Sequence, residues 1–212
     1  MDTLEETGLA AGTRVLYTND HGDASGAQGL WGKFNFYEES AKVPMILSGP
    51  DVLRGHVCET PVTIVDWILD ELGVARVADD PATESRSLFE LATLPDDPAR
   101  EAFCQCHAFA SPTGGFMLRK GRYKYHYYVG YPPEFFDLAE DPEELHDLAP
   151  DPAHRETLDK MEALLRARID PEGVDRQAKE AQVALIERHG GRDKARNADA
   201  PGTTPVPGYA QE

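Results

Sequence analysis

The sequence predicts an α/β domain followed by a small subdomain built from an antiparallel sheet and helices. Three observations carry this. Two apolar runs, Arg14 to Thr18 and Val43 to Leu47, flank a loop rich in glycine and polar residues. A helix-periodic stretch, Val62 to Leu72, follows them. Beyond residue 101 the pattern changes to short, closely spaced β-like runs and then two long helical periods. Strand, loop, strand, helix is the order of an α/β sheet, in which sites form at the carboxyl ends of strands.

In order along the chain, residues 1–12 read as the last turns of a helix stopped by Gly12. Residues 13–18 read as a buried strand that feeds the loop 19–33, whose glycines at 22, 26, 29 and 32 permit tight backbone. A short helical turn is expected from Phe36 to Ala41, and a second strand over 43–47, closed by Ser48-Gly49-Pro50. In 62–72 the residues Val62, Val65, Ile68, Leu69 and Leu72 recur at helical spacing, and Gly73 supplies a C-terminal cap. Residues 74–100, rich in Pro, Asp and Ser, read as a surface crossing with one docking segment, Ser87 to Leu91.

Phe116 to Arg119 and Tyr123 to Tyr128 read as strands joined by a hairpin turn at Lys120-Gly121-Arg122. Glu134 to Leu138 reads as a third strand, running into a turn and helix start at Asp141-Pro142-Glu143-Glu144. Helices are expected over 152–169, broken by Pro171, and over 172–189, ending at Gly190-Gly191. The division is therefore 1–100 for the α/β portion, 101–192 for the small subdomain, and 193–212 for a flexible tail.

Composition narrows the function. The 212 residues are 41% apolar and 28% charged, a soluble globular balance. No stretch reaches the roughly 18 apolar residues of a membrane span, so no membrane partner is expected. The net charge of −17 argues against a nucleic-acid partner, which requires a basic face. Residues 1–12 lack the basic and apolar regions of a secretory signal. Three cysteines, Cys58, Cys104 and Cys106, form no framework and suggest a reducing, cytoplasmic compartment. Cys104-Gln105-Cys106-His107 has soft ligands but no second pair, so free thiols are the favoured reading over zinc.

The chemistry concentrates after the first strand. Asp20 and His21 stand side by side at its mouth, and Lys33 follows on the same loop. An acid and an imidazole there can hold a divalent cation, and a lysine can reach an anion bound to it. Taken alone, Asp20-His21-Gly22 is also a common turn, and Lys33 a common surface charge. Trp31 fits either packing, the favoured reading, or the fixing of the loop.

The run from Leu16 to Pro50 resembles the second metal-binding segment of the sulfatases, in the alkaline-phosphatase-like superfamily, close to choline-sulfatase-like and phosphonate-monoester-hydrolase-like members. The resemblance implies a partial alkaline-phosphatase-like sandwich for the α/β portion. It implies that Asp20 and His21 supply half of a metal shell, for Ca²⁺ or, given the imidazole, Mn²⁺. It implies that Lys33 is catalytic, neutralising charge on the transferring sulfuryl group. The resemblance implies that His107 lies where related enzymes present a residue to the organic part of the substrate, although a packed or surface histidine is the favoured reading of the residue itself. His126 and the Tyr123-Lys124-Tyr125 run are read as structural, as is the landmark from Phe135 to Leu145.

Sulfatases mature a Cys or Ser in C/S-x-P-x-R to formylglycine, the nucleophile; no run in these 212 residues fits that pattern. Cys58 has its proline one place late, at Pro61, and no arginine. The reading is therefore of a sulfate-ester hydrolase segment that lacks the nucleophile and is inactive alone, with a small anionic ester as its substrate and either a homo-oligomer or a missing N-terminal half as its partner. A phosphonate or phosphate ester hydrolase, and a non-catalytic metal- and anion-binding remnant, are the alternatives.

Overall fold

The structure, a computed structural model, describes residues 2–71, 85–107 and 111–197. Its first part is open. Helix α1 (Asp2–Glu6) and a 3-10 turn lead to strand β1 (Val15–Tyr17). Strand β2 (Ile46–Ser48) pairs with β1 antiparallel, Leu16 opposite Leu47. Between them lies helix α2 (Glu38–Ala41). The expectation that residues 13–18 form a buried strand is corrected here. Tyr17 and Ile46, which face each other across the pair, are each 59% exposed. Among the described residues no further strand extends this two-stranded ribbon.

Helix α3 (Ile64–Glu71) matches the periodic stretch, whose Leu72 and Gly73 lie outside the described residues, as does most of the expected crossing. Its third residue, Asp66, is fully buried. The carboxylate accepts from the Thr63 and Arg86 amides at 2.7 and 2.9 Å and pairs with Arg100 at 2.6 Å. That ties three separated segments together. The docking segment is helix α4 (Leu88–Leu91), which buries Leu88 and Leu91. The Ser87 side chain caps it by accepting from the Glu90 amide.

The second part is a four-stranded antiparallel meander of β3 (Glu101–Cys106), β4 (Gly115–Lys120), β5 (Tyr123–Tyr128) and β6 (Glu134–Asp137). The last three match the predicted strands, and Gly121 turns the hairpin at φ +55°. Strand β3 was not foreseen. It pairs along its whole length with β4, from Glu101 opposite Lys120 to Cys106 opposite Gly115. Helix α5 (Arg155–Arg168) and helix α6 (Pro171–Arg188) follow. Asp170 accepts from the Gly173 amide and Pro171 opens α6. The proline that ends one helical run is thus the first residue of the next. Asp141 to Glu144 forms a turn without the expected helix start, and the first residues of the expected tail form helix α7 (Arg192–Asn197).

Strand alternation gives the sheet two unlike faces. On one, Phe116, Leu118, Tyr125 and Phe135 pack with Leu158, Met161 and Leu165 of α5 into the apolar core. The last three sit at i, i+3 and i+7, one stripe of a helix. On the other face, Lys124, His126, Glu134 and Phe136 meet the segment 36–38, which runs into α2. That second face carries the loop of interest.

Candidate active-site loop

The loop between β1 and α2 folds back on itself. The Asp23 carboxylate accepts from the Ser25 amide at 2.9 Å, a bond that holds its pKa below the ordinary carboxylate value. The Ala24 amide donates to the Gly32 carbonyl at 2.9 Å, and the Gly26 amide to Leu30 at 2.8 Å. These bonds close residues 24–32 into a lobe, and so Lys33 returns to His21 twelve positions away.

The predicted trio meets there. The His21 Nδ1 lies 2.8 Å from the Gly22 carbonyl, which can only accept, so Nδ1 carries the proton. The lone pair is then on Nε2, and the Lys33 ammonium donates to it at 2.6 Å. Asp20 Oδ2 lies 3.3 Å from the same Nε2, on a carboxylate side chain that is 85% exposed. One oxygen and one imidazole nitrogen thus converge beside an ammonium. Two such donors suit half of a divalent shell once Lys33 withdraws from the Nε2 lone pair that it occupies here. Among the described residues no group of three or more His, Cys, Asp or Glu gathers to hold an ion.

Gly22 fixes the base of the loop. Its amide donates to the Ser40 carbonyl at 2.9 Å. A Cβ at this position would stand 2.0 Å from the Glu39 carbonyl oxygen. The loop therefore lies directly against the backbone of α2, and only glycine fits.

Below α2 sits a buried polar cluster that sequence reasoning missed. Lys124 is 1% exposed; its ammonium reaches Glu38 at 2.7 Å and Glu144 at 3.0 Å. Burial raises the Glu144 carboxyl above its ordinary value, against the pull of Lys124. Buried His126 bonds through Nδ1 to Glu134 at 3.3 Å, and Tyr37 donates to the other oxygen of Glu134 at 2.7 Å. Burial lowers the His126 pKa, so the ring is neutral near pH 7. The available signal was the alternation Tyr123-Lys124-Tyr125-His126-Tyr127, which puts the lysine and histidine on the face opposite the core tyrosines.

Trp31 corrects the packing expectation: it is 79% exposed, with its indole against Gly26. Phe34, next to Lys33, forms one wall of an open pocket of about 580 Å³, with Thr113, Tyr128, Tyr131 and Glu134 among the others. His107 stands just past β3, its ring edge-on to Phe116 and close against Gly114. Its Nε2 lies 3.2 Å from Gln105 Oε1, and its carbonyl accepts from Gln182 of α6. Cys58, Cys104 and Cys106 form no disulfide. Among the described residues no helix is long and apolar enough to cross a membrane.

A mixed helix-and-sheet fold carrying this loop on an antiparallel subdomain is that of an alkaline-phosphatase-like hydrolase, in its C-terminal portion. Residues 26–170 match the family model described as N-sulphoglucosamine sulphohydrolase, C-terminal, and the chain belongs to the sulfatase family. It is 32% identical to a choline-sulfatase of Rhizobium meliloti over 86% of this chain and 36% of that protein. It is also 32% identical to arylsulfatase K of Danio rerio, over 68% of this chain and 29% of that protein. The chain thus spans about a third of the length of the curated relatives it matches. A phosphonate monoester hydrolase from Silicibacter pomeroyi superposes with a TM-score of 0.63 at 28% identity, covering 79% of this chain and 37% of that one.

Proposed function

We propose that this chain forms the metal- and sulfate-binding C-terminal part of a sulfate-ester hydrolase. The observation that carries the reading is the convergence of Asp20 Oδ2, His21 Nε2 and Lys33 Nζ at one point of the loop. Asp20 and His21 are the ligands this chain offers to Ca²⁺ or Mn²⁺; a bound cation supplies Lewis-acid polarisation of the ester oxygens. Lys33 neutralises charge that builds on the transferring sulfuryl group. The pocket beside Phe34 is the place for the organic part of a small anionic ester; His107, packed against Phe116 and Gly114, is not among the residues that line it. The formylglycine nucleophile comes from a segment outside these 212 residues, so the chain alone is inactive.

Similarity to the phosphonate monoester hydrolase supports a second substrate class, phosphonate or phosphate esters, for the same residues. Calorimetric titration with Ca²⁺ and Mn²⁺, followed by p-nitrophenyl sulfate and phenylphosphonate hydrolysis on the same sample, tests the reading. The expected result is weak metal binding and no turnover by the chain alone. In the completed enzyme Asp20→Ala and Lys33→Ala each abolish hydrolysis with the fold intact. Near-normal turnover by Lys33→Ala would remove that residue from the mechanism.

A further inference from the structure

Two residues outside the trio sit in backbone conformations that side chains avoid, and they meet each other. Gln28, at the tip of the loop, has φ +51°, and Glu144, in the turn after β6, has φ +53°. Such conformations persist in non-glycine residues only where the surroundings hold them in place. Gln28 Nε2 donates to the carbonyls of Glu143 and Glu144 at 3.0 and 3.2 Å, across more than a hundred residues of sequence. The amide has two protons, and each finds one carbonyl.

Glu144 also reaches the other end of the loop. Its fully buried carboxylate accepts from the Glu38 amide at 2.6 Å, the first residue of α2, and meets Lys124 at 3.0 Å. Helix α2 is in turn the surface on which Gly22, next to His21, rests. One turn of the C-terminal subdomain therefore grips the loop twice. The first grip, through Gln28, acts on the lobe that ends at Lys33. The second, through the carboxylate of Glu144 and α2, acts on the strand-side end that carries Asp20 and His21.

We propose that Gln28 and Glu144 are positioning residues that set the placement of His21 and Lys33 relative to each other, which the His21–Lys33 contact reports, so that the C-terminal subdomain aligns the cation-binding pair with the anion-binding lysine. This rests on the function proposed above, in which those three side chains act together. Neither residue touches the reacting groups. Both work through backbone, Gln28 on the lobe and Glu144 on α2.

Amide hydrogen exchange and ring ¹⁵N shifts of His21, measured on the chain without metal or substrate, provide the test. Lys33→Ala supplies the reference shift of an Nε2 that has lost its ammonium partner. In Gln28→Ala the Ala24 and Gly26 amides should exchange about tenfold faster, as loss of two anchoring hydrogen bonds implies. The His21 Nε2 shift should move toward the Lys33→Ala value, while the amides of β4 and β5 keep their protection. Gln28→Glu, equal in size but an acceptor facing two carbonyls, should behave like Gln28→Ala. Glu144→Ala, which removes the acceptor for the Glu38 amide, should speed exchange of the Gly22 amide. Unchanged lobe exchange and unchanged His21 shifts in Gln28→Ala would overturn the proposal. So would an equal loss of protection across β4 and β5, which would make Gln28 a general stabiliser. None of these readouts needs turnover. Retention of activity by Lys33→Ala would therefore sink the proposed function and leave the grip on the loop standing.

Discussion

Replacing Gly22 by alanine tests the loop's seat on α2. The added methyl would lie 2.0 Å from the Glu39 carbonyl oxygen and 3.0 Å from its carbon, whereas ordinary contact begins near 3.4 Å. Both offending atoms are backbone, so no side chain can swing aside. Gly22 is not among the residues at positive φ, so alanine brings no conformational penalty of its own. The cost is steric. Loss of the Gly22–Ser40 hydrogen bond contributes about 1 kcal/mol, and forcing the two segments apart about 1–3 kcal/mol more. The local opening free energy of residues 20–41 should therefore fall by about 2–4 kcal/mol. Amide exchange measures it: Gly22 and the α2 amides should lose protection by two orders of magnitude, on the order of what that energy implies. The β4 and β5 amides should change little. Unaltered protection of the Gly22 amide in the alanine variant would refute the close approach described here.

Three further outcomes are expected. Arg100→Met leaves the buried Asp66 carboxylate without its counter-charge and should cost about 3–5 kcal/mol in urea unfolding; an unchanged midpoint would show the pair to be dispensable. His126 has its pKa lowered by burial, so below its ordinary value near 6.5 the unfolded chain binds a proton that the folded chain refuses. Its contribution therefore makes stability fall as pH drops, by up to about 1.4 kcal/mol per pH unit. Glu144, raised by burial, works in the opposite direction in both proteins, so the comparison of wild type with His126→Phe between pH 7 and 5 measures the imidazole together with the Glu134 carboxylate it bonds; equal slopes would contradict a buried neutral ring. Leu165→Ala, at a fully buried position of the helix-side core, should lower stability by about 2–5 kcal/mol, and a loss below 1 kcal/mol would mean that the core collapses around it.

The sequence made the periodic parts of this fold legible. Strands β4 and β5 with the glycine turn between them follow from alternation and a φ that glycine tolerates. Helix α5 follows from its apolar spacing and α6 from the break before it and the Gly190-Gly191 stop, although Pro171, read only as a break, is the first residue of α6. Strand β3 was hidden because Gln105 and Glu101 dilute its apolar pattern. The pairing of β1 with β2 was invisible, since two three-residue strands across a long loop leave no register signal. At the site, Asp20, His21 and Lys33 were readable as a motif, and their convergence is what the lobe's backbone bonds add. Glu38, Lys124 and Glu144 were unreadable as a cluster. They lie far apart in sequence, and only tertiary packing shows that Lys124 stands between the two carboxylates.

The two-sided character of β5 has a consequence for how this chain tolerates change. Successive residues of that strand alternate between an oily compartment and an ionic one, Tyr125 in the first, Lys124 and His126 in the second. Slippage by one position would deliver an ammonium into the oil and a phenol ring among the carboxylates in the same stroke. Most half-buried strands are held in register by one such mismatch. This one is held by two of opposite chemistry, so an insertion or deletion between Gly121 and Val129 should be far less tolerated than any single substitution there.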